Sequence, residues 1–176
     1  MQCKRYEGSF CMYEVGEYIV HPGQGVCRVE EIVDAPAATY MLLPIGGRHP
    51  MKISFPVASE DRLRPVLTEQ QAKDLIQDYP NLDVEEVSAK SNALEEERFR
   101  NEIRRGTCRD SVRIVKTFRK RIAEVRATNK KPPVVYDRIL KLARERSLQE
   151  LAVALNSTTD DVQALFEQKY GESFED

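Results

Sequence analysis

At about residue 66 the spacing of apolar residues changes, and that switch limits what this chain can fold into. Before it, short β-prone runs alternate with Pro and Gly turns; after it, apolar residues recur every three or four positions behind helix-capping signals. Tyr18-Ile19-Val20 ends at His21-Pro22-Gly23-Gln24-Gly25, where Pro fixes one torsion and the glycines permit positive φ. Val26 to Val33 and Thr39 to Leu43 are further β-rich runs, parted by Asp34-Ala35-Pro36, and Gly46-Gly47 makes another hairpin-like turn. Met51-Lys52-Ile53-Ser54-Phe55 alternates apolar with polar, the pattern of a strand with one wet face. Pro56 stops it, and Leu63 to Val66 supplies a short closing strand. Short strands with no helix between them predict a small antiparallel barrel or strongly bent sheet.

Beyond Val66, Thr68 with Gln71 forms a capping-box pattern, and Leu75, Ile76 and Tyr79 give an apolar face before Pro80 ends the helix. The acidic segment from Asn81 to Lys90 reads as a linker or a short helix. Asn92 with Glu95 reads as a second capping box, opening a helix that Gly106 caps. Thr107 or Asp110 starts a long helix to about Asn129, Pro132-Pro133 begins another, and a last one follows the cap region from Ser157 to Asp161 and stops at Gly171. The fold class is therefore α+β. A flexible arm at 1–12 precedes a β domain at 13–66 and an all-α domain at 67–176.

The overall charge of −2 conceals a strong asymmetry. Between Arg98 and Lys131 stand thirteen Lys or Arg against three acids, a local +10, which leaves −12 for the rest of the chain. A concentrated positive field draws polyanions. With Val112 at zero and 100° per residue, Val115, Phe118, Ile122 and Val125 fall at about 300°, 240°, 280° and 220°. Arg109, Arg113, Lys116 and Lys120 fall at about 60°, 100°, 40° and 80°, on the opposite side. Few acids on the same helix stand at i,i+4 to neutralise that ridge. Together with Arg104 and Arg105 just before Gly106, it is a candidate for contact with a row of nucleic-acid phosphates. No aromatic interleaves with the basic residues, so backbone contact is expected rather than base stacking.

Other chemistry finds little support in the residues. His21 and Cys27 lack a third group to orient a base, so turn and core roles account for them. Gly23-Gln24-Gly25 is followed by a strand and no Gly-Lys-Ser/Thr, unlike a phosphate loop. Three consecutive acids, Glu95 to Glu97, diverge around a helix and suit its macrodipole better than a metal. The cysteines, Cys3, Cys11, Cys27 and Cys108, have no paired spacing and read as free thiols. No enzyme, cofactor or metal is expected. No apolar run is long enough to span a bilayer, and no leader pattern opens the chain, so it reads as soluble and unexported.

Val15-Gly16-Glu17-Tyr18-Ile19-Val20-His21-Pro22-Gly23-Gln24-Gly25-Val26, with Val29-Glu30-Glu31-Ile32, resembles the opening of the CarD/CdnL family of bacterial transcription regulators, V-G-D-x-V-V-Y-P-x-H-G-x-x-x-V-x-x-I. The RNA polymerase-interacting module of transcription-repair coupling factor shares this motif. The resemblance extends through Tyr40-Met41-Leu42-Leu43 and returns at Arg138 to Ala143 and Gln149 to Ala152. It implies a Tudor-like β domain that docks on the polymerase β subunit, and a helical domain on double-stranded promoter DNA near the upstream edge of the bubble, modulating open-complex stability without catalysis. It also implies a monomeric, cytoplasmic, nucleoid-associated protein. Arg48, Met51, Lys52, Ile53, Ser54 and Phe55 are the candidate polymerase-binding residues, on an edge strand able to add to another sheet. The chain has no Trp, and Asn92 stands where family members often place one; Ser54 stands where some carry a contact arginine. A second reading is a protein-interaction adaptor that binds polymerase or another protein and never touches DNA.

Overall fold

A computed structural model describes residues 5–6, 9–34, 36–47, 49–86 and 91–171. The chain divides into two compact units, residues 1–66 and 67–176. An antiparallel sheet makes up the first and helices the second, so the class is α+β.

In the first unit, β1 (Arg5–Tyr6) and β2 (Ser9–Phe10) pair as a short hairpin. The main sheet contains β3 (Tyr18–His21), β4 (Gly25–Val33), β5 (Thr39–Pro44), β6 (Ile53–Pro56) and β7 (Arg64–Pro65), in the order β6-β5-β4-β3-β7, all neighbours antiparallel. The turn between β3 and β4 closes because Gly25 takes φ 83°, and because His21 Nδ1 accepts hydrogen bonds from the N–H groups of Gly23 and Gln24, both at 3.0 Å. His21 is thus a turn-forming acceptor. Its ring meets Phe55 of β6 edge-on at 5.3 Å. In a flat sheet those strands would stand three spacings apart, about 14 Å. The contact therefore requires a strongly curled sheet, helped by a register shift in β4 between Val29 and Glu31. The curl encloses Ile19, Cys27, Val29, Tyr40, Leu42 and Phe55 as one core. Its end strands, β6 and β7, do not pair with each other. A 3-10 helix, Val57–Arg62, joins them where the sequence pattern showed no helix.

The second unit holds α1 (Glu69–Gln77), a 3-10 turn (Tyr79–Asn81), α2 (Asn92–Arg105), α3 (Cys108–Ala127), α4 (Val134–Ala154) and α5 (Thr159–Tyr170). Capping boxes form at Thr68 with Gln71, Thr107 with Asp110 and Thr158 with Asp161. At α2 the cap is Ser91, not Asn92: its hydroxyl accepts from the Leu94 N–H. With Ser91 as the cap, the third helical position is Leu94, which has no carboxylate to complete a box, and Glu95 is buried against Arg121 instead. Gly171 ends α5 at φ 65°, the left-handed cap that glycine adopts without a Cβ penalty. α3 runs through the middle of the unit, packed on α2 and α4. Val112, Ile114, Val115 and Phe118 are fully buried on it, and Ile114, at about 200°, widens the buried arc beyond the residues the periodicity picked out. No helix among the described residues is long and apolar enough to cross a membrane.

Candidate functional site

The first candidate surface is the outer edge of β6. Among the described residues this strand pairs only with β5, through Thr39↔Pro56, Tyr40↔Phe55, Met41↔Ser54 and Leu42↔Ile53. Pro56 has no N–H to give the ladder, and in an antiparallel pair donors alternate in direction along the strand. The bonds to β5 therefore run through Ile53 and Phe55, and the N–H and C=O of Ser54 point to the open side. Side chains alternate across the other axis: Phe55 is buried and Ile53 packs against the core, while Ser54 and Pro56 are exposed.

That alternation sorts the predicted docking residues. Met51 is 79% exposed, Ser54 is exposed, and Lys52 is exposed while leaning back on Glu30 at 3.7 Å. Arg28 holds the same Glu30 at 2.7 Å, and that hydrogen bond raises the arginine above its ordinary value. Phe55 is a correction, since its ring belongs to the core beside His21 and offers no contact surface. Arg48 lies outside the described residues.

The second candidate is the basic stretch, and here the structure corrects the picture of a free ridge. Arg109 Nη2 meets Asp78 Oδ2 at 2.6 Å. Arg113 binds two carboxylates, Glu85 at 3.2 Å and Glu102. Lys116 donates through Nζ to the carbonyls of Tyr79 (3.1 Å), Pro80 (2.7 Å) and Leu82 (2.7 Å), over the Tyr79 ring. Lys120 has only a loose 3.8 Å contact with Glu124, both exposed. Counting i,i+4 acids along α3 missed these partners because they arrive from the segment 78–85 and from α2.

Glu85 is the centre of this arrangement. Its N–H donates to Thr117 Oγ1 at 3.2 Å, its carbonyl accepts from Arg121 Nε and Nη2 at 3.2 and 2.9 Å, and its carboxylate accepts from Arg98 at 2.6 Å and from Arg113. Burial opposes ionisation of that carboxyl, but the two guanidiniums outweigh it and hold the group below its ordinary range. Asp78 is likewise lowered, by hydrogen bonds from Asn81 and then Arg109.

A buried pair lay outside the sequence reading. Arg121 Nη1 donates to Glu95 Oε1 at 2.7 Å, with side chains 5% and 2% exposed. The guanidinium sits 4.9 Å from the ring centre of Phe118, 5.8 Å from Phe99 and 6.0 Å from Tyr136. Helical geometry carried a signal for it: Arg121 falls at about 180°, beside Ile114 at about 200°, inside the arc that is buried.

Free positive charge lies elsewhere on the helical unit. Arg104 and Arg105 are exposed at the end of α2, Arg126, Lys130 and Lys131 are exposed where α3 turns into α4, and Lys141 is exposed on α4; none of these side chains forms an ion pair with the described residues. Arg126, Arg138 and Lys141, with Val134 and Asp137, line a groove of about 360 Å³. Arg138 contacts Glu96 at 3.7 Å and is 62% exposed. No three His, Cys, Asp or Glu among the described residues group as a metal site.

Residues 13–67 match the family model of the CarD-like/TRCF RID domain. The β unit is thus a CarD-like RNA polymerase-interacting domain, the module class of CarD-type regulators and transcription-repair coupling factors. The match ends at Leu67, one residue past the β unit, and the rest of the helical unit lies beyond it. No curated protein matches the chain.

Proposed function

We propose that this chain is a non-enzymatic transcription regulator. Its β unit binds the RNA polymerase β subunit through the open edge of β6, and its helical unit holds promoter DNA near the upstream edge of the bubble by backbone contacts, modulating open-complex stability at the nucleoid. The observation that carries the reading is the domain match over 13–67 combined with an edge strand whose Ser54 backbone groups face outward. Main-chain hydrogen bonds to such an edge supply affinity without matched contact side chains, which fits the exposure of Met51 and Ser54 and the loss of Phe55 to the core.

For DNA, the ridge residues Arg113 and Lys116 are bound by their own chain, so phosphate contact is assigned to the exposed cations. These are Arg104, Arg105 and Lys120 from the sequence reading, joined by Arg126, Lys130, Lys131 and Lys141. A cation without a protein partner, or with one as loose as the 3.8 Å Lys120–Glu124 contact, gives up little when it neutralises a phosphate and releases counterions.

Retention of RNA polymerase by residues 1–66 on a column tests the docking; no retention at low salt sinks it. Anisotropy titration of fork-junction DNA tests the second half. Reversing Arg126, Lys130 and Lys141 to Glu is expected to lower affinity for all sequences and to flatten the salt dependence by roughly one unit of slope per lost contact. The occupied ridge favours the adaptor reading, and fork DNA left unbound at low salt by the wild type would select it.

A further inference from the structure

A groove of about 580 Å³ opens where β6 runs into the 3-10 helix Val57–Arg62. Ala38, Pro56, Val57 and Ala58 form its walls, and among the described residues its charged lining is two acids, Glu60 and Asp61. The recess is preformed. The Val57 N–H bonds the Ala38 carbonyl at 2.9 Å and ties opposite walls together. Glu60 Oε2 accepts from Tyr40 Oη at 2.5 Å and from the Met12 N–H at 2.9 Å, so that carboxylate cannot swing out. Asp61 is exposed at the rim.

Small apolar walls leading to two carboxylates suit a long methylene stem that ends in a cation. Position supplies the route. Each residue of a strand advances about 3.3 Å, so a segment laid along the outer edge of β6 opposite Ser54 has side chains within reach of Pro56 and the groove mouth. We propose that this groove receives a lysine or arginine side chain from the polymerase segment that adds to β6; the proposal rests on the docking reading above. The groove would contribute register and sequence preference to a contact whose backbone bonds alone are indifferent to side chains.

The test measures binding of the full chain to RNA polymerase core enzyme at two salt concentrations, for wild type, Asp61→Lys, Ala58→Trp and Ser54→Pro, with far-UV circular dichroism to verify folding. Asp61→Lys and Ala58→Trp are expected to weaken binding roughly tenfold each, Asp61→Lys with reduced salt dependence. Ser54→Pro, which removes an outward N–H without cutting the ladder to β5, is expected to weaken it as well. Groove variants that bind like wild type while Ser54→Pro binds poorly overturn the groove and leave the edge reading standing. Tighter binding by Asp61→Lys, or weakening by Ala58→Trp alone, rejects a cationic occupant. If Ser54→Pro binds normally, or the wild type does not bind at all, strand addition fails and the groove proposal fails with it.

Discussion

Glu95 and Arg121 show how one pair of side chains constrains a helical unit. Two buried charges are tolerable only when paired and hydrogen-bonded, and Arg121 has Glu95, the Glu85 carbonyl and three aromatic rings around it. Glu95→Ala strands the guanidinium and is expected to destabilise the unit by about 3–5 kcal/mol. The double replacement Glu95→Leu with Arg121→Met should cost much less, and urea unfolding of the two proteins checks the difference. Glu85 supports a pH prediction. Its carboxyl is lowered in the folded protein, so it contributes stability above its unfolded value of 4.5, and that contribution is lost as pH falls through the lower folded value. Glu85→Gln is expected to flatten the acid side of the melting-temperature profile below about pH 4.5 and to lower the melting temperature at neutral pH.

At the scale of elements, the segment 78–85 explains why α3 is so basic. It crosses α3 with little regular structure, and its carbonyls and carboxylates need donors. Lys116 serves three carbonyls and Arg121 a fourth, while Arg109 and Arg113 neutralise Asp78 and Glu85. Lys116→Met is therefore expected to cost about 1–3 kcal/mol in thermal or urea unfolding. Lys141→Met, on the exposed groove of α4, should stay within about 0.5 kcal/mol of wild type. Equal effects at the two positions would return Lys116 to the surface.

Over the whole molecule, the charge asymmetry belongs to one unit. Residues 1–66 carry 7 basic and 8 acidic side chains, and residues 67–176 carry 20 and 21, so each is nearly neutral. The field gradient lies inside the helical unit, between the 98–131 stretch and the acids around it. Local rules made much of the architecture legible: Pro and Gly turns bounded β3, β4 and β5, and the Thr68–Gln71 capping box, Thr107 and the 157–161 cap region marked helix starts, because those signals act between residues close in the chain. The edge position of the 51–55 run was legible too, though its strand begins two residues later, at Ile53.

What the sequence by itself determined was an α+β chain with a polymerase-interacting motif at its head and a concentration of cations in its second half. Only the tertiary structure decided which cations are available. Arg109, Arg113 and Lys116 share one side of a helix in any reading of the sequence. Their partners come from 11 to 37 residues away, and local periodicity carries no information about contacts made at that range.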